Sequence, residues 1–230
     1  MKQLVTTGII LGRLDYGEAD RILTVLTPDH GKLSLLAKGV RRIKSKLAGG
    51  IELFSVSNIT YIKGRGSLDS LVSTRLVKHY GSIVKRLDRT MLGYELLKQL
   101  HRITEDEPEE EYYHLAEQLF EALDDASIEP TVIKVWFAAQ LLRLAGHTPN
   151  LQTDAAGKVL DAAAKYQFDF NHMAFAPDEQ GRFTANHLKY MRLYFSANQP
   201  KTLQQVQGGG VLLSDITPLI QTMLQAASLV

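Results

Sequence analysis

The sequence contains no cysteine. That absence excludes disulfides, thiolate metal ligands and a cysteine nucleophile, and nothing else points to an oxidising compartment. No apolar run approaches the ~18 residues that span a bilayer. The opening MKQLVTTGIILG has one Lys, a short apolar stretch and no small-residue cleavage site, so it reads as a first strand, not a signal peptide. A cytoplasmic protein is expected. Also missing are a G-x-G-x-x-G or phosphate-loop sequence and a G-x-S-x-G elbow; Gly64-Arg65-Gly66 lacks the third glycine and the helix that should follow. His147, His172 and His187, with Asp154 and Asp169, are widely and irregularly spaced, and none forms the i, i+4 pair of a helical metal site. Asp15, Glu18 and Asp20 are close enough to mimic a nuclease magnesium site, but turn formation and pairing with Arg21 or Arg13 is the simpler reading. A binding protein is expected, not an enzyme, with no cofactor and no metal.

What is present is a real core and a lopsided charge. Hydrophobic residues make up 45% of the 230, enough for one large domain or two small ones. Net charge is only +1, yet residues 1–89 hold 16 Lys and Arg against 7 Asp and Glu, residues 90–130 hold 2 against 12, and residues 131–230 hold 8 against 6. A polyanionic partner would therefore belong to the front of the chain. Its focus is the stretch GKLSLLAKGVRRIKSKLAGG, residues 31–50. Lys38, Arg41, Arg42, Lys44 and Lys46 follow a strand-like run, with no acid from Lys32 to Ile51. Gly39 and Gly49-Gly50 permit sharp turns. Fixed cations on one loop repel each other and must be solvated or meet an anion; a phosphate backbone does this with release of counterions.

The first 80 residues read as β. Strands are expected over residues 4–14, bent at Gly8 and Gly12, then 21–26, 32–37, 53–62 and 68–78, with turn signals between them. Five short, glycine-bent strands suit a small barrel, either SH3-like or oligonucleotide-binding, and the basic loop favours the second. Such barrels pair cationic grooves with aromatic platforms; candidates are Tyr16, Phe54 and Tyr61, each of which also fits a core position. From Tyr80 the apolar period becomes helical. The acidic run 105–111 places Pro108 in the first turn of a second helix. A third helix, residues 131–145, is apolar nearly all round and ends at Gly146. Residues 161–165 favour helix, and 166–175 a short strand or hairpin. Residues 184–197 are helical, Gly208–Gly210 reads as a flexible joint, and Ser214 or Asp215 is a candidate cap for the last helix.

Several segments now carry a resemblance. Leu14-Asp15-Tyr16-Gly17-Glu18-Ala19-Asp20-Arg21, Leu26-Thr27-Pro28-Asp29-His30-Gly31-Lys32, Ala37-Lys38-Gly39-Val40-Arg41-Arg42 and Lys44-Ser45-Lys46-Leu47-Ala48-Gly49 resemble, in order and spacing, the N-terminal signature of the bacterial RecO family of DNA repair and recombination mediators. Leu144-Ala145-Gly146-His147-Thr148-Pro149-Asn150-Leu151 is similar to a family segment that leads into a zinc-binding insertion. The resemblance implies an α+β chain: an OB-fold barrel over 1–80, then a helical domain over 81–230. It implies binding of single- and double-stranded DNA, annealing, cooperation with RecR, contact with the C-terminal tail of single-stranded DNA-binding protein, and loading of RecA, in a cytoplasmic, nucleoid-associated bacterial protein. One departure matters. Where many members carry four cysteines, this chain has Thr153, Asp154 and Ala155, and Asn186-His187. The insertion, 147–186, is therefore expected to be a metal-free remnant packed around Tyr166, Phe168, Phe170 and Phe175.

On this reading Lys38, Arg41, Arg42, Lys44 and Lys46 contact phosphates, helped by Arg13, Lys63, Arg65 and Arg75, with Tyr16 and Tyr61 as stacking platforms. A rival reading makes the chain a protein adaptor, its third helix receiving an acidic peptide tail at Lys134, Trp136 and Arg143.

Overall fold

The computed structural model describes residues 2–104 and 109–229. Chain packing divides it into two compact units, Met1–Ala126 and Ser127–Val230.

The first unit is a closed five-stranded barrel with two helices packed on it. Its strands are β1 (Gln3–Tyr16), β2 (Asp20–Thr27), β3 (Gly31–Ala37), β4 (Ser55–Ile62) and β5 (Asp69–His79). They run round the barrel in the order β1-β2-β3-β5-β4, and β4 closes on β1. This is the strand order of an oligonucleotide-binding barrel. β1 is long enough to serve both sides: its first half pairs with β4 and its second with β2, and the register shifts between Ile10 and Gly12, where the strand bends. Alternation sends Ile10, Leu23, Val25, Leu35, Ile59 and Tyr61 into the barrel core. Only Leu35 and Leu36 pair with β5, in parallel with Asp69 and Ser70.

Helix α1 (Leu87–Ile103) packs against β1, and α2 (Glu110–Asp124) against β2, so the compact unit runs past residue 80. The helical period read from Tyr80 begins later. Tyr80 is buried against Phe120, and Ile83–Lys85 is a single 3-10 turn before α1. Phe54 sits at φ +57° and is buried between Tyr94 and Phe120. Gly93 makes room for it, since a Cβ there would stand 2.5 Å from the Phe54 ring. Of the acidic run, residues 105–108, including Pro108, lie outside the described residues; Glu110 opens α2.

The second unit is built on α3 (Pro130–Leu144), with α4 (Ala185–Ser196) and α5 (Gly209–Ala226) against it. α3 is buried on nearly every face, as its composition requires. Strands β6 (Asn150–Asp154), β7 (Lys165–Asp169), β8 (Ala174–Pro177) and β9 (Phe183–Thr184) form a small sheet in the order β6-β8-β7-β9. Residues 161–165 are not helical. Asp161 accepts from Ala163 N at 2.9 Å, the Tyr166 hydroxyl accepts from Asp161 N at 2.7 Å, and Lys165 already starts β7. Five residues cannot nucleate a helix against such local bonds. The expected joint at Gly208–Gly210 is instead a helix start: Gly208, at φ +72°, is the N-cap of α5. Ser214 and Asp215 lie inside that helix and do not cap it.

Candidate nucleic-acid interface

The loop leaves β3 at Lys38 and is tied at once to the β1–β2 hairpin. Gly39 N donates to Asp20 Oδ1 at 2.7 Å, and Arg41 N donates to Ala19 O at 2.9 Å. Gly39 has φ +65°, with the Arg42 side chain across its open face, so an L side chain there would be strained. Asp15 accepts from Arg21 Nε at 2.8 Å and lies 3.5 Å from Arg41 Nε. The Arg21 hydrogen bond holds the Asp15 carboxyl below the usual carboxylate range, and the charges of Arg41 and Arg13 add to it against the opposing effect of burial. Asp15 and Asp20 are thus engaged in holding the loop, which disfavours the magnesium-site reading of Asp15, Glu18 and Asp20.

Further along, Val40 and Ile51 are buried in the barrel core and Leu47 packs on it. Thr74 Oγ1 donates to Leu47 O at 3.2 Å where the loop crosses β5. The backbone is therefore fastened at both ends and at the middle. Lys38, Arg42, Lys44 and Lys46 are exposed between these fixings, with no carboxylate partner among the described residues.

The residues singled out from sequence fall into three groups. Lys38, Arg41, Arg42, Lys44 and Lys46 share the loop, Tyr16 is 52% exposed on the hairpin that anchors it, and exposed Arg75 follows the Thr74 crossing. Arg13 is ion-paired to Glu52 at 2.8 Å, not to the hairpin acids. Lys63 and Arg65 are exposed on the β4–β5 turn, whose Gly64 N donates to Asp69 at 2.9 Å. Because Leu35 pairs with Asp69 in parallel, that turn lies toward the start of β3, away from Lys38 at its end. Tyr61 is a correction. It has no exposed surface, its ring fills the barrel interior, and it offers no face to a base. Trp136 is another: it is fully buried in α3, with Nε1 donating to Ala197 O at 2.8 Å, and cannot receive a peptide. Arg143 is exposed and its Nε donates to Gln140; Lys134 is half-buried. The expected pairing of the hairpin acids with Arg21 holds for Asp15, but sequence reasoning missed that the same hairpin moors the loop. Asp15 and Arg21 face each other across the hairpin.

The residues that the resemblance sets against the family's zinc cysteines do not fit zinc. Asp154 Oδ1 accepts from Ala156 N at 2.9 Å and Lys158 N at 2.8 Å. His187 Nδ1 accepts from Thr184 N at 3.0 Å, and its Nε2 stands 3.0 Å from Asp215. Among the described residues no group of three His, Cys, Asp or Glu is arranged to hold a metal ion. The segment holds together instead through aromatic contacts: Phe168 meets Phe175 at 5.0 Å and Phe170 at 4.9 Å, and Phe175 meets Phe183 at 5.5 Å. Phe170 is 42% exposed, so it covers this cluster from outside.

Comparison with known proteins bears on both units. Recombination protein O N terminal matches residues 1–80, and Recombination protein O C terminal matches residues 90–225. The chain belongs to the RecO family. Proteins named DNA repair protein RecO from Rubrobacter xylanophilus, Rhodopirellula baltica and Desulfatibacillum aliphaticivorans are 30%, 34% and 30% identical to it, over 69%, 63% and 66% of this chain. The chain spans 64%, 54% and 60% of those RecO proteins' own lengths. The N-terminal RecO match covers all five barrel strands and the whole cationic loop. No helix among the described residues is long and apolar enough to cross a membrane.

Proposed function

We propose that the chain is a DNA-binding recombination mediator in DNA repair, without catalytic activity of its own, whose barrel holds polynucleotide on the β3–β4 loop. The observation that carries this is the loop's construction. Its backbone is hydrogen-bonded to the hairpin and to β5, while Lys38, Arg42, Lys44 and Lys46 are left exposed without carboxylate partners among the described residues. Phosphate contacts position a strand without reading it, so binding to single- and double-stranded DNA is nearly sequence-independent. Neutralised complementary strands repel each other less while their base edges stay free, and annealing follows. Membership of the RecO family, and the name DNA repair protein carried by its relatives, support the wider role: cooperation with RecR, contact with the acidic tail of single-stranded DNA-binding protein, and loading of RecA in the bacterial cytoplasm, at the nucleoid. Tail binding, on this reading, belongs to the helical unit and does not use Trp136. Within residues 81–230, the sheet-forming segment 147–186 is a cysteine-free remnant of the zinc-binding insertion.

A salt-titrated binding curve on single-stranded DNA tests the central point. With about five phosphates neutralised, log K falls against log salt with a slope near −3.5. Changing Arg41, Arg42 and Lys44 together to Glu weakens binding by more than about a hundredfold and leaves the circular dichroism spectrum unchanged. Unaltered binding in a folded triple variant would falsify the assignment.

A further inference from the structure

We infer that Ile43 is an apolar wedge that enters between neighbouring bases of a bound strand, so that the loop unstacks nucleic acid as well as neutralising it. The inference rests on the DNA-binding reading above. The large aliphatic residues of the β3–β4 loop are Val40, Ile43, Leu47, Ile51 and Leu53, the last packed against the barrel core. Val40 and Ile51 are buried in the barrel core and Leu47 packs against it, whereas Ile43 is 104% exposed. Ser45 N donates to Arg42 O at 2.9 Å, which places Ile43 at the first central position of a closed turn. Arg42 N donates to Gly39 O at 3.1 Å, fixing the turn before it. The backbone holds the side chain outward although the side chain packs on nothing. Little further ordering is then needed on binding.

Single exposed hydrophobic residues are ordinary on protein surfaces. This one stands at the apex of a hydrogen-bonded turn, flanked in sequence by exposed Arg42 and Lys44. A strand whose phosphates meet those cations brings its base faces onto the apex. Isoleucine is among the residues that unstack base steps in architectural DNA-binding proteins, and one side chain suffices for one step. Tyr16, 52% exposed on the hairpin that anchors the loop, supplies a flat ring for an unstacked base. A lipid surface would also accept cations beside an aliphatic tip, but interfacial anchoring scales with buried apolar area, and one isoleucine provides little.

The experiment uses the full chain and an oligonucleotide carrying 2-aminopurine, whose emission rises on unstacking. At saturation the wild-type protein raises emission on single-stranded DNA. Ile43→Ser loses most of that rise and binds about tenfold more weakly, with the salt slope and the thermal melt unchanged; Ile43→Leu restores both signals. An equal rise for Ile43→Ser at saturation overturns the wedge alone, provided that the triple glutamate variant still loses binding. If the triple variant binds like wild type, the DNA-binding reading falls and the wedge with it. Anionic phosphatidylserine vesicles make the third arm: Ile43-dependent binding to vesicles with Ile43-independent binding to DNA also overturns the proposal.

Discussion

Lys32 is the second residue of β3 and Lys38 follows its last, yet the two lysines are used in opposite ways. Lys32 Nζ donates to His101 O at 3.1 Å and also to Thr104 O, at the carbonyl end of α1. Arg89 does the same for α2, donating to Leu123 O at 2.8 Å and to Ala122 and Ala126 at 3.4 and 3.3 Å. Helix C-termini carry partial negative charge and unpaired carbonyls, and a cation placed there satisfies both. Lys38, Arg42, Lys44 and Lys46 have no such assignment among the described residues; their loop is held by its backbone, by Asp15 and Asp20, and by Val40, Leu47 and Ile51. One group of cations is a structural part of the first unit. The other is available to a partner because the fold does not need it.

Breaking the structural group should harm stability and leave binding alone. The largest effect is expected for Arg89→Leu. It strands buried carbonyls at the end of α2 and should cost about 3 kcal/mol in denaturant unfolding, with DNA affinity per folded molecule unchanged. Lys32→Met should cost about 1 kcal/mol, again without change in affinity. A Lys32→Met protein of normal stability and weakened DNA binding would erase the distinction between the two ends of β3. From the other side, Arg42→Met should leave the denaturation midpoint unmoved. It should weaken single-strand binding about fourfold at 0.15 M salt and make the salt slope shallower by about 0.7.

How much of this could be read in the sequence depends on how local each cause is. The five strands were legible because alternation and turn residues act over a few positions, and the bend at Gly12 follows from the glycine itself. Which cations are structural was not legible: Lys32 meets carbonyls at 101 and 104, far along the chain, and composition cannot show that pairing. Tyr16 and Tyr61 looked alike as stacking candidates until the barrel closed and put one outside and the other in its core. In the second unit the aromatic cluster was foreseeable from residue type. Residues 161–165 misled because alanine's helix preference is small beside the bonds from Asp161 and Tyr166.

The smallest expected effect concerns the mooring between loop and hairpin. The Asp15 carboxyl is depressed first by its hydrogen bond to Arg21 and then by the charge of Arg41. A depressed folded-state pKa means that the contact's stabilisation is fully present above the unfolded carboxylate value and fades as pH falls through the folded one. Asp15 and Arg41 side chains are 53% and 37% exposed, so solvent screens the pair and the global melting temperature should scarcely respond. The sensitive measurement is the carboxyl carbon shift of Asp15 by NMR, whose midpoint should lie below 3.8. Arg21→Gln should raise that midpoint more than Arg41→Gln, because Arg21 makes the direct bond. If neither substitution moves it, the Asp15 ion pairs do not hold the loop to the hairpin, which leaves the Gly39–Asp20 and Arg41–Ala19 bonds and the 3.4 Å bond from the Arg41 side chain to Gly17 O to do so.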